Sequence, residues 1–302
     1  MIAWNFPYAS QRMPVIASNV VAASQPLAAQ AGLQMLMKGG NAVDAALACA
    51  ITLTVVEPTD TGLGNDAFAL VWDGDKLHAL NASGRSPAGW SPEYFAKYSE
   101  FPRFGWDTVT VPGAVSAWNR LSDRFGSLPF EVLFEPAIQY ARHGFRVSPK
   151  IANYWAYAVD IYQDFPEFGN TFLPQGKAPA AGEMFRCENL ADTLTEIAET
   201  RGASFYSGNL AEQIGQYASA TGGLLTLDDF AEHRPKWVQP ISKNFQGYAV
   251  HELPPNTQGI AALIMLGILR NTDFLDFPVD SAESLHLQIE AMKLAFADAN
   301  RY

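Results

Sequence analysis

The order of strand and helix signals along this chain of 302 residues predicts a mixed fold of helices and sheet, read as one α/β domain over residues 1–302. Three observations carry that expectation. Two helical patterns near the start are followed by two short apolar segments joined by Asp73, Gly74 and Asp75, a hairpin signal. Helical patterns and strand-like stretches then alternate up to a last helical run. No repeat, low-complexity tract or linker-like shift of composition divides the chain, which favours a single unit.

Taken in order, PLAAQAGLQMLMK reads as a helix with Pro26 in its first turn, Ser24 as its cap, and Gly39 and Gly40 as its stop. Asn41 caps a second helix, AVDAALACAITLTVVE, which is apolar nearly all round and is therefore expected to be packed on both sides. The hairpin AFALVWDGDKLHALNAS follows, so the stretch NASGRSP, residues 81–87, is the exit of a strand. DTVTVPGAVSAWNRLSDRFG reads as a strand, a Pro-Gly turn and an amphipathic helix, and SLPFEVLFEPAIQYARHG as a helical segment closed by Gly144. Residues 150–186, rich in aromatics, Pro and Gly without clear period, read as an irregular excursion. ENLADTLTEIAETRG and NLAEQIGQYASATGG are helices, and Thr226 with Asp229 forms a capping box. WVQPISKNFQGYAVHELP supplies alternating strands, PPNTQG a tight loop and IAALIMLGILR a buried helix, and ESLHLQIEAMKLAFADANRY is helical to the last residues.

Composition narrows the function classes. With 48% hydrophobic and 17% charged residues the chain can bury a large core. Its 20 basic residues face 31 acidic ones, a net charge of −11 that repels phosphate backbones and anionic headgroups, so no nucleic-acid partner is expected. Cys49 and Cys187 are far apart, and Cys49 lies in an apolar run, which suggests a reduced buried thiol rather than a disulfide. MIAWNFPYASQRMP shows no export signal, giving an expectation of cytoplasmic residence, although a matured secreted chain would look the same. The apolar runs 45–56 and 260–269 are too short for a membrane span.

Several residue patterns invite a chemical reading. Gly84-Arg85-Ser86-Pro87-Ala88 approaches a nucleophile elbow, yet Pro87 has no N–H to lend to an oxyanion hole. Gly62-Leu63-Gly64 precedes a strand where a dinucleotide loop requires a helix, so it reads as a turn. Glu57, Asp60 and Asp66 are close enough for a metal or acid/base pair, but turns attract such residues for their own hydrogen bonds. His78, His143, His233, His251 and His286 lack zinc-ligand spacing and read as surface or packing residues. Neither a metal nor an organic cofactor is expected. Arg85 carries two readings. One is a surface ion pair or a cap on nearby carbonyls; the other is a bidentate clamp on a substrate carboxylate, with Asn81, Ala82, Ser83 and Gly84 leaving room for the ligand.

SNVVAASQPLAAQAGLQMLMKGGNAVDAALA, VEPTDTGLGNDAFALVWDG, VTVPGAVSAW, LPFEVLFEPAIQYARHGFRVSP, PISKNFQGYAVHELPPNTQGI and EAMKLAFADANRY stand in an order that resembles the large subunit of the γ-glutamyltransferase (γ-glutamyltranspeptidase) family. The resemblance covers nearly the whole chain. It implies an α+β fold, the four-layer αββα sandwich of N-terminal-nucleophile hydrolases, completed by a small subunit cut from the same precursor. It also implies a heterodimer or a higher oligomer of it, acting on a small amide. The nucleophile it implies is a threonine freed at the start of the small subunit, so no catalytic nucleophile is expected within this chain. The family's D-x-R-E-x-A-P motif corresponds here to Asn81–Pro87: Ser83 occupies the arginine's place, Gly84 the glutamate's, and Arg85 lies two residues on. Arg85 and Ser83 are accordingly the expected substrate-binding residues. The family's P-S-S-G-G loop becomes Pro255-Asn256-Thr257-Gln258-Gly259. The leading expectation is cleavage or transfer of the γ-glutamyl group of glutathione-like amides. The alternatives are a cephalosporin-acylase-like amidase with a glutaryl-type acyl group, and a non-catalytic scaffold.

Overall fold

The computed structural model describes residues 15–301. The stretch read for an export signal lies outside the described residues. In chain order the elements are α1 (Pro26–Met37), α2 (Ala42–Val56), β1 (Ala67–Trp72), β2 (Leu77–Ala82), α3 (Pro92–Phe95), α4 (Ala114–Phe125), α5 (Glu135–His143), β3 (Phe145–Arg146), α6 (Pro149–Ile161), α7 (Pro166–Phe172), β4 (Met184–Phe185), α8 (Glu188–Glu199), α9 (Ala203–Ser207), α10 (Asn209–Ala220), α11 (Leu227–Glu232), β5 (Lys236–Val238), β6 (Ile241–Phe245), β7 (Tyr248–Glu252), α12 (Gly259–Leu269) and α13 (Ala282–Arg301). The architecture is thus mixed helix and sheet. The described residues form two compact units, 18–67 with 82–235 and 68–81 with 15–17 and 236–301.

The first unit is helical and centred on α2. Asn41 caps that helix by accepting from the N–H groups of Val43 and Asp44, while buried Asp44 returns a bond to Asn41 N, closing a capping box. Asp44 also accepts from Ser127 N, so the cap ties the helix to the chain that follows α4. Leu47, Ala48, Ile51 and Val55 are buried, as the all-round apolar pattern requires, and α1, α4 and α5 pack on this helix. The cap of α1 differs from expectation: Gln25 occupies that position, and Ser24 instead gives its hydroxyl to buried Glu57.

Two sequence readings need correction in this unit. Residues 107–111, expected as a strand, join no ladder: they begin in a 3-10 turn, Trp106–Thr108, and Val111 N bonds Arg85 O instead. Residues 150–186 are largely helical: Ser148 caps α6, and Pro149 and Pro166 occupy first turns. Their period is hidden because packing converges on one residue, Trp155, which is buried, bonds the Phe172 carbonyl through Nε1 at 2.9 Å and meets Phe185 at 4.7 Å. Cys49 is buried and unbridged, donates to Ala28 O at 3.0 Å, and has its thiol pKa raised by burial.

The second unit holds a three-stranded sheet in the order β1-β2-β5 and a β6-β7 hairpin. β2 and β5 run antiparallel with Leu80 opposite Trp237 and Asn81 opposite Lys236. β6 and β7 join through Gln246 and Gly247, both at positive φ, as a primed two-residue turn demands. The helix expected to be buried, α12, is only half so: Ala261, Leu263 and Leu269 are its buried residues, although the whole segment is apolar. Phe68, Leu70 and Trp72 along β1, and Leu285, Ile289, Met292 and Phe296 at helical spacing along α13, are likewise exposed. No helix among the described residues is long and apolar enough to cross a membrane.

Candidate functional site

The exit of β2 is held in place at successive backbone groups. Gly84 N donates to Asp66 Oδ1 at 3.0 Å, Arg85 O accepts from Val111 N at 3.0 Å, and Ala88 N donates to Asp229 Oδ1 at 2.8 Å. The Asp229 carboxylate also closes the capping box of α11 predicted with Thr226, so one acid fixes a helix start and the loop beside it. Desolvation raises the pKa of Asp66, while the N–H groups of Gly84 and Gly113 pull it down.

Two glycines set how closely the backbones approach. A Cβ on Gly84 would stand 1.6 Å from Val111 O, and one on Gly113 would stand 1.7 Å from Ala82 O. Only a residue without a side chain fits either position. The exit segment is therefore clamped on 111–113 by two reciprocal main-chain contacts and one hydrogen bond.

On this clamp Arg85 is exposed and Ser83 half-buried. Among the described residues Arg85 forms no salt bridge, so the ion-pair reading finds no partner there. β2 stops at Ala82, which puts Ser83 and Arg85 beyond the ladder. The three acids weighed from sequence serve separate local tasks. Glu57 takes the Ser24 hydroxyl, Asp60 sits in a turn whose carbonyl accepts from Asn65, and Asp66 holds Gly84. Gly62-Leu63-Gly64 is a turn closed by Asn65 N on Gly62 O at 3.2 Å, as expected. In the sheet-bearing unit, Asn256 of the 255–259 loop accepts from Asn81 Nδ2 at 2.9 Å, and Thr257 Oγ1 donates to Leu253 O at 3.0 Å.

The structure adds a group that sequence reasoning missed. His233 is 4% exposed; its Nε2 lies 2.8 Å from Ser116 Oγ, and its ring stacks on Tyr206 with centroids 5.2 Å apart. Burial first, then the positive charges of Arg234 and Arg85, push its pKa from 6.5 down to about 4. The imidazole is thus neutral at pH 7. Burial pushes the Tyr206 hydroxyl up to about 12, so it stays protonated. Ser116, Tyr206 and His233 have no common motif and no regular spacing, so no sequence signal joins them.

Because the folded chain refuses the proton that the unfolded chain accepts on His233, stability is expected to fall as pH drops from 6.5 towards 4. The contribution lost is on the order of 2–3 kcal/mol. Urea unfolding at pH 7 and pH 4.5 measures it, and His233→Gln is expected to show that much less pH dependence. Equal pH dependence in the two proteins would contradict the assignment.

Comparison with known proteins gives a match to the Gamma-glutamyltranspeptidase family model over residues 28–302. The Glutathione hydrolase-like YwrD proenzyme of Bacillus subtilis is 39% identical over 275 residues, covering 90% of this chain and 52% of that protein. The chain spans about half the length of the curated relatives it matches. Among solved structures, cephalosporin acylase from Bacillus halodurans superposes with a TM-score of 0.92 at 48% identity, over 99% of this chain and 57% of that one. Helicobacter pylori gamma-glutamyltranspeptidase gives 0.90 at 26% identity, over 96% of this chain and 86% of that one.

Proposed function

Since the chain belongs to the gamma-glutamyltranspeptidase family, we propose that it is the large subunit of an enzyme that cleaves or transfers the γ-glutamyl group of small amides such as glutathione. The observation that carries this reading is Arg85: an exposed guanidinium without a salt bridge among the described residues, on a loop fixed at Gly84, Arg85 and Ala88. A planar fork held in this way matches a carboxylate in bidentate geometry. Ser83 adds a hydroxyl beside it for the same substrate group.

In this proposal a second polypeptide from the same precursor brings the nucleophile. Its terminal threonine hydroxyl attacks the amide carbonyl, its α-amine takes the proton and passes it to the departing amine, and water or an acceptor amine releases the acyl group. The exposed apolar faces of β1 and α13 support such a companion, which would cover Phe68, Leu70, Trp72 and the Leu285–Phe296 stripe. The complete assembly is proposed as a four-layer αββα sandwich, a reading supported by the superpositions on the acylase and the transpeptidase.

A second reading keeps the chemistry and changes the acyl group to a glutaryl-like one. The 48% identity to a cephalosporin acylase favours it, as does the replacement of the family's arginine and glutamate by Ser83 and Gly84. Release of the amine from γ-glutamyl and glutaryl anilides by the two-chain protein separates the two. Faster turnover of the γ-glutamyl anilide is expected, and preference for the glutaryl anilide would replace the first reading with the second.

A further inference from the structure

Three side chains from distant parts of the sequence converge on the turn that carries the clamp. Tyr206 Oη donates to Pro112 O at 2.7 Å and accepts from Ser116 N at 3.0 Å. Ser116 Oγ donates to Gly113 O at 2.7 Å. With that hydroxyl proton committed, the contact at 2.8 Å between Ser116 Oγ and His233 Nε2 is filled by an imidazole N–H. This tautomer leaves Nδ1 as a bare acceptor, consistent with its being buried without a hydrogen bond. Both carbonyls of the turn, Pro112 and Gly113, are therefore held from one side by a phenol and by a serine backed by His233.

From these contacts we infer that Tyr206 and His233 are positioning residues for Arg85. They fix the depth of the Pro112–Gly113 turn, and the turn fixes the loop that presents the guanidinium. The inference rests on the reading of Arg85 as the grip on the substrate carboxylate.

The coupling follows from how little slack the backbone has. At separations that leave no room for a Cβ on Gly84 or Gly113, the turn cannot shift without moving residues 82–85, and Val111 N is bonded directly to Arg85 O. The side chains that hold the turn border a cavity of about 410 Å³ lined by Val115, Ser116, Tyr206, His233 and Arg234 among others. An arginine clamp tolerates little displacement, since both N–H···O bonds of a bidentate guanidinium–carboxylate pair must stay in line for the pair to hold the substrate.

The test is a coupling measurement on the two-chain enzyme, with kcat and KM for the γ-glutamyl and glutaryl anilides in Tyr206→Phe, Arg85→Ala and the double variant. Tyr206→Phe keeps the ring stack and loses both bonds of the hydroxyl. It is expected to raise KM about tenfold with kcat within about twofold, and to add nothing to the KM of Arg85→Ala. His233→Leu repeats the comparison should Tyr206→Phe not fold, and His233→Gln, whose amide can donate to Ser116, is expected to restore part of the loss. Additive effects in the double variant, or a fall in kcat at unchanged KM, overturn the inference, and so does loss of folded enzyme in both Tyr206→Phe and His233→Leu. An unchanged KM in Arg85→Ala alone removes the reading of Arg85 as the grip. A raised KM there with wild-type behaviour of Tyr206→Phe removes only the positioning role.

Discussion

Arg85→Ala is expected to raise KM for the acyl amide by roughly 30- to 700-fold while kcat changes by only a few fold, corresponding to the loss of about 2–4 kcal/mol of charged, bidentate pairing. The split follows from position: a group that holds the substrate carboxylate, remote from the bond being broken, binds ground state and transition state alike. Arg85→Lys keeps the charge and loses the planar fork, so it is expected to recover only part of the affinity. Steady-state kinetics of the three proteins at one pH give the answer. Wild-type KM for Arg85→Ala in a normally assembled enzyme would end the proposal that this side chain binds substrate.

Gly113→Ala is expected to cost about 3 kcal/mol or more of folding stability, or to abolish folding. The backbone at Gly113, with φ −102° and ψ −18°, suits alanine, so conformational strain is not the reason. The added methyl would meet the Ala82 carbonyl oxygen at 1.7 Å, and that oxygen belongs to the main chain and cannot swing aside as a side chain would. Relief requires parting residues 82–85 from 111–113, which also breaks the bond between Val111 N and Arg85 O. A variant that still folds is therefore expected to bind substrate weakly as well. Urea unfolding together with KM for Gly113→Ala and for Gly126→Ala, another tight glycine at the far end of the same helix, separates the effect on binding from the loss of stability. Full stability and normal KM in Gly113→Ala would mean that the two segments are not clamped.

These outcomes bear on how much of the site could be read without coordinates. Arg85 stood out because a lone arginine among small residues at a strand exit is chemically conspicuous, and the strand, its hairpin partner and the exit all lie where the apolar alternation put them. The Thr226–Asp229 capping box was legible for the same local reason. The second use of Asp229, its bond to Ala88 N across 141 residues of chain, was not. Ser24 shows the limit from the other side: by propensity it is a helix cap, yet a bond to Glu57, 33 residues away, outweighs that role and passes the cap to Gln25.

What the sequence determined by itself was whatever depends on neighbours within a few residues: most of the helices, the Asn41 and Thr226 caps, the hairpins, the small-residue loop that carries Arg85, and the order of segments that marks the family. Tertiary structure decided the rest. It showed that 107–111 joins no ladder and that 111–113 is a clamp, that 150–186 winds into helices around Trp155, and that Ser116, Tyr206 and His233 meet at one turn. The reason is physical. Capping and periodicity are set by bonds between residues three or four apart, whereas two glycines that let backbones touch, or a buried imidazole that finds a serine 117 positions away, gain their meaning only when the chain has closed on itself.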